Sequence, residues 1–131
     1  MILVDTSVIV AWMDVSHPAH GRCRTALELW AGSGPLAISS VTYAELAAGA
    51  RSQQGVDEDL QPFERIDLDF EPAWRAGQRF RQYRPVKGEF PVLPDFFIRA
   101  QAATLNLAHL TNDHRRLAIW PDVDFIFPDE K

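Results

Sequence analysis

The chain has 131 residues, the size of one domain with its own hydrophobic core. Its net charge of −5, from 13 basic and 18 acidic residues, argues against a simple electrostatic nucleic-acid binder but leaves open a nuclease whose acids gather at a metal site. The single Cys23 excludes an internal disulfide and a multi-cysteine zinc site. With neither a signal-peptide pattern nor an apolar run long enough to span a membrane, we expect one cytoplasmic domain over residues 1–131.

Apolar β-rich runs alternate with helical patterns along the chain, which indicates βαβ units around a parallel sheet. The strands are predicted at Ile2–Val4, Leu36–Ile38, Ile66–Leu68, Leu107–Leu110 and Asp124–Phe127. A first helix is predicted to start near Ser7, and others at Ala19–Trp30, Val41–Ala50, Asp57–Phe63, Pro72–Tyr83 and Asp95–Leu105. We therefore predict an α/β fold, a three-layer α/β/α domain with a central, mainly parallel sheet.

Four acidic residues are candidates for a functional site at the carboxyl edge of the predicted sheet. Asp5 ends the first strand and Asp113 follows the fourth, so both lie at the carboxyl edge where ligands bind. Asp95 begins a helix after Arg84–Pro94, a predicted loop beside the site, and Glu45 lies in an alanine-rich helix that suggests limited access to water. Carboxylates gathered at one edge repel one another unless a divalent cation neutralises them, and hard oxygen ligands select Mg²⁺ or Mn²⁺.

Each acid also has a purely structural interpretation. Asp5 and Asp95 could cap the helices that follow them, and Asp113 could cap a helix over "HRRL". Thr42 and Glu45 match a capping box, in which the glutamate reaches back to the backbone N–H of the threonine. For any single acid capping is the commoner role. Capping does not explain, however, why several acids should gather at one edge of the sheet.

Four sequence blocks, "VDTSVIVAW", "ISSVTYAELAAGA", "PDFFIRAQAATLN" and "LTNDHRRL", occur in the order and approximate spacing of a PIN domain. From Ile2 to Phe127 the chain resembles, more narrowly, the VapC toxin branch of that family. The resemblance implies a Mg²⁺- or Mn²⁺-dependent endoribonuclease, the toxin of a VapBC toxin–antitoxin system, that hydrolyses RNA phosphodiester bonds. It also implies a homodimer and a small VapB-like antitoxin that holds the toxin inactive.

The resemblance further implies roles for individual residues. The four acids Asp5, Glu45, Asp95 and Asp113 match the family's metal-binding and catalytic positions, and Ser7, Thr6, Thr111 and Asn112 match positions that support them. The chain departs from the family at Arg99, where alanine is common, and at Arg115 and Arg116, where some relatives carry another acid. These three arginines, with Arg75 and Arg79 on one predicted helix face, are candidates for contact with RNA phosphates, and a solvated helix face is the alternative.

Two other functions are weighed against this one. A haloacid dehalogenase-type phosphatase also has an aspartate after its first strand, but such enzymes use Asp-x-Asp and position seven here is Ser7. A non-catalytic RNA-binding or protein-interaction module on a PIN scaffold is the alternative from another class, and the presence of all four acids disfavours it. His17 and His20 could form a metal-binding pair, and His114 could carry a proton at the edge of the site, but a structural role for the first two and a helix-surface position for His114 are favoured.

Overall fold

The computed structural model describes residues 1–83 and 93–128. Its strands are β1 (Ile2–Val4), β2 (Leu36–Ser39), β3 (Glu64–Ile66), β4 (Ala108–Leu110) and β5 (Phe125–Ile126). Its helices are α1 (Thr6–Met13), α2 (His20–Ala31), α3 (Ser40–Ala47), α4 (Gln53–Asp59), α5 (Phe70–Gln82) and α6 (Leu93–Leu105), with a 3₁₀ turn at Leu117–Ile119. Within the described ranges, no helix is long and apolar enough to cross a membrane. The predicted loop Arg84–Pro94 lies outside the described residues, except for its last two, which belong to α6.

The sheet has the strand order β3-β2-β1-β4-β5, and every pair of neighbours is parallel. The central strand β1 is paired on both sides, with Ile2 opposite Leu36 of β2 and Ala108 of β4. The chain leaves β1 toward β2 on one side and later returns to β4 on the other. The loops after β1 and β4 therefore diverge, and a crevice opens at the carboxyl ends of these two strands.

Alternate residues of β1 point into two separate cores, one on each face of the sheet. Ile2 and Val4 pack in a core with apolar residues of α1, α2 and α4, whereas Leu3 packs in a second core with Phe96 of α6 and Trp120, which follows the 3₁₀ turn. Trp120 and Phe96 are each only 1% exposed. Helices on both faces of a parallel sheet confirm the predicted α/β/α architecture, and all of the strand pairs are parallel.

Some elements differ by a few residues from their predicted bounds; α3, for example, ends at Ala47 rather than Ala50. The third strand is Glu64–Ile66 rather than Ile66–Leu68, because this edge strand pairs with β2 through residues that are largely exposed and so lack an apolar pattern. The fourth helix is Gln53–Asp59 rather than Asp57–Phe63. Its start is set by Ser52, whose hydroxyl accepts a hydrogen bond from the backbone N–H of Gly55 at 3.1 Å.

Candidate active site

Asp5 stands where β1 turns into α1, and its carboxylate caps that helix. Its Oδ2 accepts hydrogen bonds from the backbone N–H of Ser7 at 3.1 Å and from the Ser7 hydroxyl at 2.6 Å. Its backbone N–H donates to the carbonyl oxygen of Leu110 at 2.8 Å, which fixes the end of β1 against β4. The capping interpretation of Asp5 is therefore confirmed. Because the cap uses Oδ2 alone, the other carboxylate oxygen keeps capacity for a further partner.

The other oxygen of Asp5 faces a buried histidine. His109 Nε2 lies 3.6 Å from Asp5 Oδ1, a distance at which the two form an ion pair when the ring is protonated rather than a hydrogen bond. His109 Nδ1 lies 3.0 Å from the carbonyl oxygen of Leu3, which can only accept, so Nδ1 carries a proton. Burial by itself would raise the pKa of Asp5, but His109 and the hydrogen bonds from Ser7 outweigh it and lower that pKa to about 2.

Hydroxyl and amide groups connect the loops that follow β1 and β4. Thr111 Oγ1 donates to Asp5 Oδ2 at 3.2 Å and accepts from the backbone N–H of Asp113 at 3.0 Å. The Ser7 hydroxyl accepts from the backbone N–H of Asn112 at 3.0 Å. Ser7, Thr111 and Asn112 thus form one network with the first and last acids across the crevice between the two strands, whereas Thr6, also predicted to support Asp5, contacts Glu45 instead.

Glu45 reaches from α3 to α1 rather than to the start of its own helix. Thr6 Oγ1 lies 2.9 Å from both Thr42 Oγ1 and Glu45 Oε1. The helix begins at Ser40 and is capped by Ser39, so the capping-box interpretation of Thr42 and Glu45 is wrong. The expected shielding of Glu45 from water is only partial, because the alanine-rich face of α3 is exposed and so is Glu45.

The cleft nevertheless perturbs the pKa of Glu45. Partial desolvation raises that pKa, and the hydrogen bond from Thr6 opposes the rise. The negative charges of Asp5 and Asp95 raise it further, and the net shift is upward. Glu45 is thus coupled by charge to two acids on other elements.

Asp95 is the third residue of α6 and lies inside the first turn, so it is not the residue that precedes and caps the helix. Within residues 1–83 and 93–128, no hydrogen bond or ion pair engages its half-buried carboxylate. Burial raises the pKa of Asp95, and the negative charges of Asp113 and Asp5 add to the rise, against a smaller opposing effect of two arginines. A bound cation would relieve this repulsion.

Asp113 closes a turn rather than capping a helix. Its Oδ1 accepts from the backbone N–H and the Nε of Arg115, both at 2.9 Å, and its Oδ2 accepts from Arg115 Nη2 at 3.1 Å. The described chain forms no α-helix over "HRRL", only the 3₁₀ turn Leu117–Ile119, so the helix-cap and helix-face interpretations are wrong. Burial would raise the pKa of Asp113, but the hydrogen bonds from Arg115 outweigh it and lower that pKa.

The predicted acids meet in one shallow cleft of about 400 Å³ at the carboxyl edge of β1 and β4. The cleft is lined by Asp5, Ser7, Glu45, Asp95, Asn112, Asp113 and Arg115. Among the described residues, no three Asp, Glu, His or Cys side chains converge tightly enough to enclose a metal ion by themselves. Mg²⁺ commonly keeps several waters and takes only one or two carboxylates, so this oxygen-lined cleft fits a hydrated hard cation better than a closed protein cage.

Arg115 is the one of the five candidate arginines that lines the cleft in the part of the chain described by the structure. Three others pair with neighbouring side chains: Arg79 with Asp122 at 2.6 Å, Arg75 with Thr104 at 3.3 Å, and Arg116 with the Tyr83 ring at 5.5 Å. Arg99 is buried and donates to the backbone of the Asp113 loop. These placements argue against direct phosphate contact by Arg99 and Arg79.

The histidines singled out in the sequence make local contacts. His17 Nδ1 accepts from the backbone N–H of Ala19 at 2.9 Å, and His20 Nδ1 lies 3.0 Å from the carbonyl oxygen of Ala11. The His114 ring stacks on Phe127 with the centroids 4.0 Å apart. The structural interpretation of His17 and His20 is confirmed, whereas His114 does not lie on a helix surface. The sequence reasoning missed His109, although a polar residue between the apolar neighbours of β4 was a signal that could have found it.

A family profile for the PIN domain matches residues 2–124. The chain belongs to the PIN-domain family. This PIN domain is similar over nearly its full length to solved toxin–antitoxin structures. VapBC2 from Rickettsia felis, bound to a promoter DNA fragment, is 25% identical with a TM-score of 0.76, covering 98% of this chain and 100% of that one. A toxin–antitoxin complex from Klebsiella pneumoniae is 25% identical with a TM-score of 0.75, covering 100% of both chains.

A more distant structure shares the PIN fold. VapC20 from Mycobacterium tuberculosis, described as a toxin that cleaves the sarcin-ricin loop, is 16% identical with a TM-score of 0.68, covering 95% of this chain and 99% of that one. A search of curated proteins gave no match. The resemblance to the PIN family and to VapC toxins is thus confirmed by the family profile and by the solved structures.

Proposed function

We propose that this PIN domain is a metal-dependent endoribonuclease toxin that hydrolyses RNA phosphodiester bonds in the cytoplasm. One observation carries the proposal: carboxylates from four separate elements line a single cleft at the carboxyl edge of the sheet. Burial raises the pKa of two of them, Glu45 and Asp95, and the charges of neighbouring acids raise it further, as expected of acids placed to hold a cation. Similarity to solved VapBC complexes supports the toxin assignment.

Asp5, Glu45, Asp95 and Asp113 are the residues that would hold Mg²⁺ or Mn²⁺ in this cleft. Their donors are all hard oxygen atoms, the ligand type these cations prefer. Asp5 offers Oδ1, because Oδ2 is engaged by Ser7, and the Asp95 carboxylate has no partner within the described ranges. When bound, the cation supplies water activation and stabilises the charge that develops on the phosphate.

The protein's own groups would orient these ligands and move a proton. Ser7 and Thr111 both hold Oδ2 of Asp5, which leaves Oδ1, beside His109, as the oxygen that would bind the cation. Thr6 has one hydroxyl proton, and an ionised Glu45 accepts it at Oε1. Since Thr6 holds Oε1, Oε2 of Glu45 would be the oxygen that takes a proton from water, and the raised pKa favours that role.

The partners follow from the same similarity. Since the matched structures include toxin–antitoxin complexes, we propose a VapB-like antitoxin whose basic side chain enters the acidic cleft. Exposed apolar side chains at the ends of α1 and α2, including Met13 and Leu29, provide surface for such a partner. For the homodimer, we propose an interface that includes Phe70 and Trp74. These residues lie one turn apart on α5 and are 95% and 69% exposed.

An RNA cleavage assay with matched variants tests this function. The parent is expected to cleave RNA with Mg²⁺ or Mn²⁺ and to stop when EDTA is added. Asp95→Asn is expected to lose about 100-fold or more in rate, since it removes several kcal/mol of charge stabilisation at the reacting phosphate. Glu71→Gln removes an exposed charge from α5, outside the cleft, and should match the parent. Equal rates for the two variants would contradict the proposal.

The ion pair between Asp113 and Arg115 favours one alternative, a non-catalytic RNA-binding module. In that pair Arg115 already binds both carboxylate oxygens of Asp113, so one of the four acids is not available to a cation unless the pair opens. The same assay separates the two functions. The alternative predicts RNA binding by the parent with no cleavage in any divalent cation.

A further inference from the structure

Arg99 is a charged side chain inside the protein. It lies on α6 beside Asp95, one turn of helix away, and is only 5% exposed. Moving a guanidinium out of water is costly unless hydrogen bonds and nearby charges compensate it. Burial lowers the pKa of Arg99, and the charges of three cleft acids, Asp113 first, oppose that shift. The cleft acids therefore help this arginine to keep its charge.

The guanidinium of Arg99 binds the backbone of the segment that carries Asp113. Nη1 donates to the carbonyl oxygen of Arg115 at 2.7 Å, and Nη2 donates to the carbonyl oxygen of Asp113 at 3.2 Å. The Nη2 atom is also 3.7 Å from Asp113 Oδ2, and the guanidinium lies 5.0 Å from the centroid of the Phe125 ring. A rigid fork that holds two carbonyl groups two residues apart restrains the backbone between them.

Arg115 contacts the same carboxylate in a different way. Its side chain is 64% exposed and pairs with a residue only two positions away. Exposed pairs of this kind contribute little to stability, because water screens the charges and the side chain loses freedom. Arg99, in contrast, connects α6 to a distant segment from a buried position. Arg115 thus contacts the Asp113 carboxylate, whereas Arg99 has the contacts that fix the backbone carrying it.

We propose that Arg99 is a positioning residue of this site. It holds the backbone from Asp113 to Arg115 through two carbonyl oxygens and so directs the Asp113 carboxylate into the cleft. The inference rests on the proposed function in taking Asp113 as a cation ligand. Arg99, which departs from the family pattern, would thus bind the protein's own backbone rather than RNA. Lysine keeps the charge but lacks the fork, so Arg99→Lys isolates the positioning effect.

Hydrogen exchange in the metal-free protein tests the restraint on the backbone. The amides of residues 113–116 are compared in the parent, Arg99→Lys and the control Arg115→Ala. Exchange is expected to rise about tenfold in Arg99→Lys, since local opening is no longer restrained, and to stay near the parent in Arg115→Ala. Parent-like protection in Arg99→Lys would overturn the proposal. This measurement needs neither metal nor RNA, so it decides the inference even if the proposed function fails.

Mn²⁺ titration followed by electron paramagnetic resonance tests whether Arg99 acts through Asp113. Loss of a residue that orients a ligand typically weakens metal binding about 10- to 100-fold, and we expect that loss for Arg99→Lys. In an Asp113→Asn background the same change should have no further effect. An equal loss in both backgrounds, or a parent-like affinity in Arg99→Lys, would overturn the proposal. So would loss of the fold in Arg99→Lys, judged by circular dichroism. A parent that neither binds Mn²⁺ nor cleaves RNA would instead refute the proposed function.

Discussion

Neutralising Asp5 and neutralising Asp95 should change the stability of the metal-free protein in opposite directions. The pKa of Asp5 is lowered from 3.8 to about 2, and its side chain is 18% exposed. At 1.36 kcal/mol per pKa unit, ionised Asp5 contributes about 2 kcal/mol to the free energy of unfolding at neutral pH. The pKa of Asp95 is raised, by burial first and then by Asp113 and Asp5, so its ionisation opposes folding.

Denaturation in EDTA at pH 7 measures both effects. Asp5→Asn is expected to lower the free energy of unfolding by about 2 kcal/mol, which is about 6 °C in Tm for a chain of this size. Asp95→Asn is expected to raise it. Because the pKa of Asp5 is lowered on folding, its contribution is present above about pH 4 and is lost as the pH falls toward 2. The difference between the parent and Asp5→Asn should therefore shrink below about pH 4.

Glu71→Gln is the control for losing one negative charge, since Glu71 is exposed on α5. It should leave stability within about 0.5 kcal/mol of the parent. Equal shifts for Asp5→Asn and Asp95→Asn would refute the reasoning, because net charge rather than local surroundings would then set the effect. A gain in stability for Asp5→Asn would show that repulsion dominates at Asp5 as well.

Three further predictions concern residues around the cleft. Thr6→Val should slow RNA cleavage about tenfold by releasing Glu45, with Thr6→Ser restoring the rate in the same assay. Arg79→Ala should lower the free energy of unfolding by about 1 kcal/mol, by breaking the pair with Asp122, and should leave the Mn²⁺ affinity unchanged when measured by titration. Arg115→Ala should reduce the salt dependence of RNA binding in Ca²⁺, and a slope equal to that of the parent would exclude Arg115 from the phosphate contacts.

The strands and helices with strong local signals could be predicted from the sequence. The apolar run of β1 followed by Asp5, Thr6 and Ser7 contains both the strand and the cap of the next helix within a few residues. The bounds of the edge strand β3 could not be predicted correctly, because its pairing with β2 is a tertiary contact and its exposed residues carry no alternating pattern. Local patterns also suggested a helix after Asp113. There the hydrogen bond from the backbone N–H of Arg115 to the Asp113 carboxylate favours a turn instead.

The gathering of the acids could also be predicted, since parallel strands place their carboxyl ends on one edge. Their individual partners could not. The bond between Thr6 and Glu45 joins residues 39 positions apart, and the contact between Asp5 and His109 depends on the pairing of β1 with β4. The burial of Arg99 could not be predicted either, because its charge alone suggested a solvent-facing residue that binds phosphate.

The chemistry of the RNA ends left by cleavage is the most direct test of the central claim. Water activated in the cleft leaves a linear phosphate monoester, whereas attack by the RNA's own 2′-hydroxyl leaves a 2′,3′-cyclic phosphate. Mass spectrometry of the products of a short RNA, with Mg²⁺ and with EDTA, distinguishes the two. We predict linear phosphate ends with Mg²⁺, no cleavage in EDTA, and cleavage by Asp95→Asn that is slower by about 100-fold or more. Cyclic phosphate ends, or cleavage that persists in EDTA, would contradict the account.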